Sequence, residues 1–593
     1  MTIERASSGT ATQQGRRLRR PVVANAVSVV MVLALTACAD DAATPSGETA
    51  PSTTDTTTDT TTDTTTDTTT DTTTDTTAGT VETTQPEPAD EDESEAAPAG
   101  PPGDPAQTVT AADVEAALAL VPDEMESMLA ASGVPGMAVA IVFEDEVVFA
   151  DGFGVREVGT DDPVGPDTVF QVASVSKAIS GSAVSAVVGD GTIAWDDPIV
   201  DHLPGFELSD PYIGEHVTFA DMFTHDSGLP SHAGDLLEDL GYDRDEVLAR
   251  LVHEPLSPFR AQHQYTNFGL TAAAEAAANA SDQTWDDLIE QRLFAPAGMD
   301  ATSARFADYI GADDRATPHQ RDDEGTWIVT TDQRDPDPQA PAGGVSSTAN
   351  DLGRWMRLQL ASGELDGEQI IDPDALLTMY TPRSVSNPPG TPSAHTGHYG
   401  LGSGVGVRDD GFTEWSHSGA FLLGTATRYV MVPGQQLGVA VITNGQPVGL
   451  PEAAAATIVD LIVDGAPRLD WFAGYSGLMA SLYEPETPTD WREPVADPAA
   501  PLDASAYVGV YDNDYYGPMT VDDRSGVLVM TLGPDSMEFE LTPYDGDTFL
   551  FTPPGENALG PTGIEFEVVD GQAVSATSEF YDMNGLGIWV AAG

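Results

Sequence analysis

A single cysteine, Cys38, stands in 593 residues, so no disulfide can close within the chain and no cysteine-rich metal site can be built. Lysine is equally scarce, and the only one is Lys177. Positive charge as a whole is sparse, with 23 Lys+Arg against 96 Asp+Glu and a formal net charge of −73. Such a field repels a phosphate backbone, which excludes nucleic acid as a partner. The imbalance is not confined to one end. Of these side chains, 18 acidic and 5 basic precede Gln107, which leaves 78 against 18 in the remainder. A surface this acidic fits a saline habitat or strong pressure for solubility, and composition does not choose between them. The length exceeds what one compact domain usually holds, so at least two folded units are expected.

Long apolar runs are also missing, except near the start. There Arg16, Arg17, Arg19 and Arg20 precede the apolar stretch 21–37, the pattern of an export signal. The stretch ends in Leu35-Thr36-Ala37-Cys38, which is similar to a bacterial lipobox. In that reading 1–38 is a signal peptide, and Cys38 is lipidated and anchors the protein to the membrane. The alternative is an uncleaved signal anchor. Both put the rest of the chain outside the cytoplasm. Residues 39–106 repeat Thr-Thr-Thr-Asp and then turn to Pro, Glu and Asp. With little apolar surface to bury, they are expected to be a disordered, extended tether.

Globular patterning occupies 107–465. Helical spacing of apolar residues runs over 112–131, and 136–143 with 146–153 reads as a strand pair. A Pro-, Trp- and Asp-rich linker follows at 466–500. In 501–593 about eight short alternating runs separated by Gly, Asp and Pro predict a small antiparallel barrel.

Three short motifs carry the chemistry. Ser174-x-x-Lys177 places two side chains one helical turn apart on a face of a helix expected to run from Ser174 to about Val188. That helix is apolar almost all round, through Val175, Ala178, Ile179, Val184 and Val187, which predicts burial. Burial disfavours the ammonium form and fits Lys177 to accept the Ser174 proton. Ser176 points away from the lysine and is expected to tolerate alanine. Tyr265-Thr266-Asn267 stands before the apolar stretch 270–278, in a loop entering a helix. A phenol beside Lys177 is expected to exist partly as phenolate and to relay a proton to the leaving group, and Asn267 to bond a substrate amide. The other Tyr-x-Asn, at Tyr511 and Asn513, falls among barrel strands and reads as a turn. Of three His-x-Gly triplets, at His232, His395 and His417, only His417-Ser418-Gly419 begins a hairpin pattern suited to a cleft wall, with Gly419 admitting a close substrate. His395 is the competing choice. The acidity of the chain predicts that the His417 imidazole is pushed above its ordinary pKa.

In that order, these motifs resemble the three boxes of the serine β-lactamase and penicillin-binding-protein superfamily, nearest to its class C β-lactamase-like, peptidase S12-type hydrolases. The stretches 191–198, 222–230 and 341–351 support the likeness, which spans roughly 109–463. The terminal barrel is similar to lipocalin-like domains appended to some D-aminopeptidases of this group. The resemblance implies an α+β fold in which an antiparallel sheet is flanked by helices and a helical subdomain, followed by the barrel. It implies an acyl-enzyme on Ser174, a general base and acid in Lys177 and Tyr265, and a substrate anchor in Asn267. The N–H groups of Ser174 and Ala420 would form the oxyanion hole. No metal or organic cofactor is expected, and the partner is a peptide or small-molecule substrate. His417 departs from the family's usual lysine, as in esterases and D-aminopeptidases. Amides or esters, including D-amino-acid peptides, are therefore the expected substrates. A true β-lactamase and an idle binder of cell-wall peptides are the alternatives.

Overall fold

The computed structural model describes residues 108–331, 333–484 and 487–592. The export signal, Cys38 and the Thr/Asp tether lie outside the described residues.

An eight-stranded antiparallel sheet forms the centre of the larger part. Its spatial order is Glu146–Gly154, Gly136–Phe143, Leu437–Thr443, Thr425–Val432, Thr413–Phe421, Gly404–Val407, Gly397–Tyr399 and Ser384–Asn387. The strand Gly136–Phe143 is buried throughout because the sheet is covered on both faces. Its side chains divide with period two. Ala138, Ala140 and Val142 join one core cluster, and Met137, Val139, Ile141 and Phe143 join the other.

The second cluster packs under the helices Ala111–Leu118, Val121–Ser132 and Leu450–Asp464. Two helices thus replace the single one expected over 112–131. Pro122, in the first turn of the second, stands where a missing N–H is tolerated but through-going helix is not. On the opposite face lies the helix Ser176–Gly189, buried from Ser176 to Val187 as its apolar composition predicts.

Strands from Gly509–Asp512 to Ile588–Ala591 close an eight-stranded barrel, each pairing antiparallel with its neighbours. Tyr507, Tyr511, Phe566 and Trp589 fill it, and they belong to the same continuous core as Tyr242 and Leu240 of the larger part. Asn513, in the second Tyr-x-Asn, ties its own loop. Its side chain donates to Leu586 O and Ile588 O and accepts the N–H groups of Tyr515 and Tyr516.

Candidate active site

Ser174 does not open the long helix. It sits in a preceding 3-10 turn, Ala173–Val175, and the α-helix starts at Ser176. Ala173 has φ of +46°, a left-handed conformation that costs a non-glycine residue energy and that the surrounding packing must enforce. Val172 enforces it in part, through its N–H to Val345 O at 2.9 Å. Across the turn lies Gly419, where a Cβ would fall 2.4 Å from Val172 O and 2.8 Å from Ser174 N. The missing side chain therefore admits the serine turn, not a substrate as the sequence suggested.

Ser176 is also more constrained than its position implied. It is fully buried, and its Oγ accepts the Val345 N–H at 3.0 Å. Ser176→Ala strands that N–H, and the unfolding free energy from urea titration should fall by about 1–3 kcal/mol. Turnover per folded molecule should stay near wild type.

Ser174 is half-buried, whereas Lys177 is fully buried. The lysine Nζ donates to Ser174 Oγ at 3.2 Å, Asn267 Oδ1 at 2.7 Å and Ala342 O at 3.0 Å. Three donors and three acceptors fix the amine. Desolvation pulls its pKa down to about 7, with Asp235 opposing and Arg334 assisting. A lysine poised there can take a proton from a serine at neutral pH.

Tyr265 precedes the helix Asn267–Ala280 and presents its ring 4.6 Å from Lys177 Nζ. Burial holds the phenol well above its ordinary pKa, and the neighbouring Ser174 side chain offsets only part of this. The hydroxyl is buried without a well-aligned hydrogen-bond partner among the described residues. A proton relay from this position runs through a neutral phenol, not a standing phenolate. Asn267 is committed at both ends of its amide, to Lys177 and, through Nδ2, to Asp235 Oδ2 at 2.8 Å. One N–H remains for a ligand.

His417 is brought to the site and His395 is not. The first lies buried on the strand Thr413–Phe421 with its ring 6.3 Å from that of Tyr265, while the second is exposed in a loop. Ala420 follows on the same strand, paired in register with Ala426. Contrary to the expectation from net charge, the His417 imidazole is pushed down to about 3. Desolvation dominates, and Lys177 adds to it. Remote acidic side chains are screened by water, but loss of hydration acts directly on the ring. Its Nε2 meets the Tyr399 hydroxyl at 2.7 Å and its Nδ1 meets Ser418 O. It is a neutral imidazole with both nitrogens engaged.

Sequence reasoning missed several neighbours. His225, buried and held well below its ordinary pKa by desolvation, accepts the Thr266 N–H and packs 4.5 Å from the Tyr265 ring. His232 Nδ1 contacts Asp235 Oδ2 at 2.9 Å, so a second His-x-Gly triplet also borders the site. Arg334 is ion-paired to Glu238 at 2.7 Å. The stretch 222–230 signalled this wall but stops short of Asp235. Among the described residues no group of three or more His, Cys, Asp or Glu side chains stands in a metal-holding arrangement.

Residues 111–464 match the Beta-lactamase family, and 493–587 match a domain of unknown function, DUF3471. Penicillin-binding protein 4 of Amycolatopsis lactamdurans is 28% identical over 401 residues, covering 64% of this chain and 94% of that one. An unguisins hydrolase of Aspergillus campestris is 25% identical over 475 residues, covering 72% and 85%. Among solved structures, the octameric penicillin-binding protein homologue from Pyrococcus abyssi aligns with a TM-score of 0.51 at 20% identity, over 78% of this chain and 98% of that one. That likeness concerns the fold.

Proposed function

We propose, from the premise that this chain belongs to the β-lactamase family of serine hydrolases, that it cleaves amide or ester bonds through an acyl-enzyme on Ser174. Lys177 takes the serine proton as the hydroxyl attacks the carbonyl. Tyr265 passes a proton to the leaving group, and the N–H groups of Ser174 and Ala420 receive the oxyanion. Water then attacks the ester, with the same groups acting in reverse. The observation that carries this reading is the lysine: fully buried, 3.2 Å from Ser174 Oγ, and drawn down to about 7 by desolvation.

The substrate is a peptide amide or ester, with D-amino-acid peptides as the favoured class, rather than a carboxylate-bearing β-lactam. A carboxylate needs a cation, and the third motif supplies a neutral imidazole. The arginines near it are already held, Arg334 by Glu238 and Arg428 by Glu414 at 3.3 Å. We propose further that the lipobox-like stretch ending in Cys38 anchors the protein at the outer face of a membrane.

A fluorophosphonate probe should label the protein, and mass spectrometry should map the adduct to Ser174. Labelling elsewhere, or none, would remove the acyl-enzyme reading. In a substrate panel, the kcat/KM ratio of a carboxylate-bearing to a neutral ester should be low and flat from about pH 5 to 8, because His417 gains no proton in that range. A ratio that climbs as pH falls would mean that a titrating cation meets the carboxylate.

A further inference from the structure

The stretch 231–242 faces two partners at once. Toward the nucleophile, Asp235 Oδ2 accepts from Asn267 Nδ2 at 2.8 Å, and Asn267 Oδ1 in turn accepts from Lys177 Nζ at 2.7 Å. Toward the barrel, the Gly234 N–H donates to the Tyr515 hydroxyl at 3.0 Å, and the Tyr242 hydroxyl donates to Tyr516 O at 2.8 Å. Asp239 accepts the N–H groups of Glu556 at 3.1 Å and Asn557 at 3.2 Å. Asp235 thus sits one residue from a barrel contact and two hydrogen bonds from the catalytic amine.

The Tyr515 contact is well defined chemically. A phenol has one proton, and here it goes to Glu254 Oε1, whose other oxygen accepts from Asn584 of the barrel at 3.1 Å. Burial holds the Tyr515 phenol well above its ordinary pKa, so the proton stays and a lone pair is left for Gly234. Gly234 itself has φ of +93°, and a Cβ there would meet Phe268 and Val247 at 2.8 Å. The backbone before Asp235 is therefore pinned between the Asn267–Ala280 helix and the barrel. Asp235 is buried, and its Oδ1 has no hydrogen-bond partner among the described residues. Its orientation depends on Oδ2 and on the backbone behind it.

We propose that Asp235 is a positioning residue for the catalytic lysine, and that the C-terminal barrel holds Asp235 in register through Tyr515. The barrel is then a structural part of the active site rather than an independent attachment. This rests on Lys177 being the base, as argued above. The charged groups acting on the amine agree with it. Asp235 raises its proton affinity and Arg334 lowers it. Asp235 belongs to this stretch, and Arg334 is tied to it through Glu238 at 2.7 Å and to the barrel through Glu556 at 3.9 Å. The other titratable groups facing the amine, Tyr265, His225 and His417, are buried and held in their neutral forms, and the partly exposed His232 meets Asp235 Oδ2 through Nδ1 at 2.9 Å.

The test uses the full chain and p-nitrophenyl acetate, with kcat and KM measured across pH for Asp235→Asn, Tyr515→Phe and, as a barrel control, Tyr544→Phe, a tyrosine of the strand Met537–Asp545 whose hydroxyl donates to Glu493 O at 2.8 Å. The first two nearly preserve shape and remove one charge or one hydroxyl. Asp235→Asn removes the anion that raises the amine's pKa, so the acid limb of kcat/KM should move to lower pH by about half a unit or more. Its plateau kcat should drop about tenfold, part of what a positioned base supplies. Tyr515→Phe should lower kcat about threefold to tenfold, the equivalent of one hydrogen bond. KM should stay within about twofold in both, because neither group touches substrate. Tyr544→Phe should behave as wild type.

An unmoved acid limb in Asp235→Asn overturns the positioning role. So does a loss equal at every pH and matched by a loss of folded protein, which would assign a structural role only. Wild-type kinetics in Tyr515→Phe overturn the barrel's part. Failure of the underlying reading looks different: Ser174→Ala would still turn over the ester. An inactive Ser174→Ala beside an unaltered Asp235→Asn profile removes this inference alone.

Discussion

Ser174→Ala is expected to be folded, unlabelled by fluorophosphonate and slower in kcat by about 10⁴-fold or more, the scale on which a nucleophile's loss is felt. The fold should survive because the hydroxyl is half-buried and only one of three acceptors of the Lys177 amine disappears. Asn267 Oδ1 at 2.7 Å and Ala342 O at 3.0 Å still hold it. Ser176 offers no substitute nucleophile, since its Oγ is buried and occupied by the Val345 N–H. The measurement is ester turnover beside circular dichroism and a melting curve. Turnover near the wild-type rate in a folded variant would assign the chemistry to another group.

Removing the amine should cost almost as much. Lys177→Arg keeps a cation but cannot lose its proton near neutrality, and Lys177→Met keeps the length without a proton acceptor. Both are expected to fall at least about 100-fold in kcat/KM, the lower end of what a general base supplies. The pH profile gives the sign in the wild type. With the amine at about 7, the neutral form that accepts a proton accumulates above that pH and vanishes below it. Activity on a neutral ester should therefore fall as pH drops through about 7, with one proton taken up. Charge alone would suffice if Lys177→Arg kept wild-type rates, and the residue would then be a structural cation. A melting curve separates misfolding from loss of the base, because a guanidinium in a fully buried site also strains its surroundings.

The Ser174–Lys177 pair was readable because its geometry is local. Three residues along a helical turn give one shared face whatever the rest of the chain does, and the apolar neighbours predict burial before any contact is known. The barrel was readable for a similar reason, since alternation with period two and Gly/Asp punctuation record strands and turns directly. Choosing His417 over His395 also rested on a local pattern, the hairpin that follows it.

What the sequence shows by itself is thus the Ser174-x-x-Lys177 and Tyr265-x-Asn267 spacing and the strand punctuation of the barrel, each written along a short stretch, while the fold class came from the likeness of those motifs to a known family. Tertiary structure decided how those groups are tuned. It commits the Asn267 amide to Lys177 and Asp235, residues 90 and 32 positions away. It fills the space beside Gly419 with the serine turn rather than substrate. It reverses the His417 expectation, because a count of acidic residues describes a screened, distant field while burial removes water from the ring itself. It also brings Tyr515 to Gly234 across 281 positions. Contacts made at such separations depend on how the sheet, the helical insert and the barrel pack, and no periodicity in the chain encodes that.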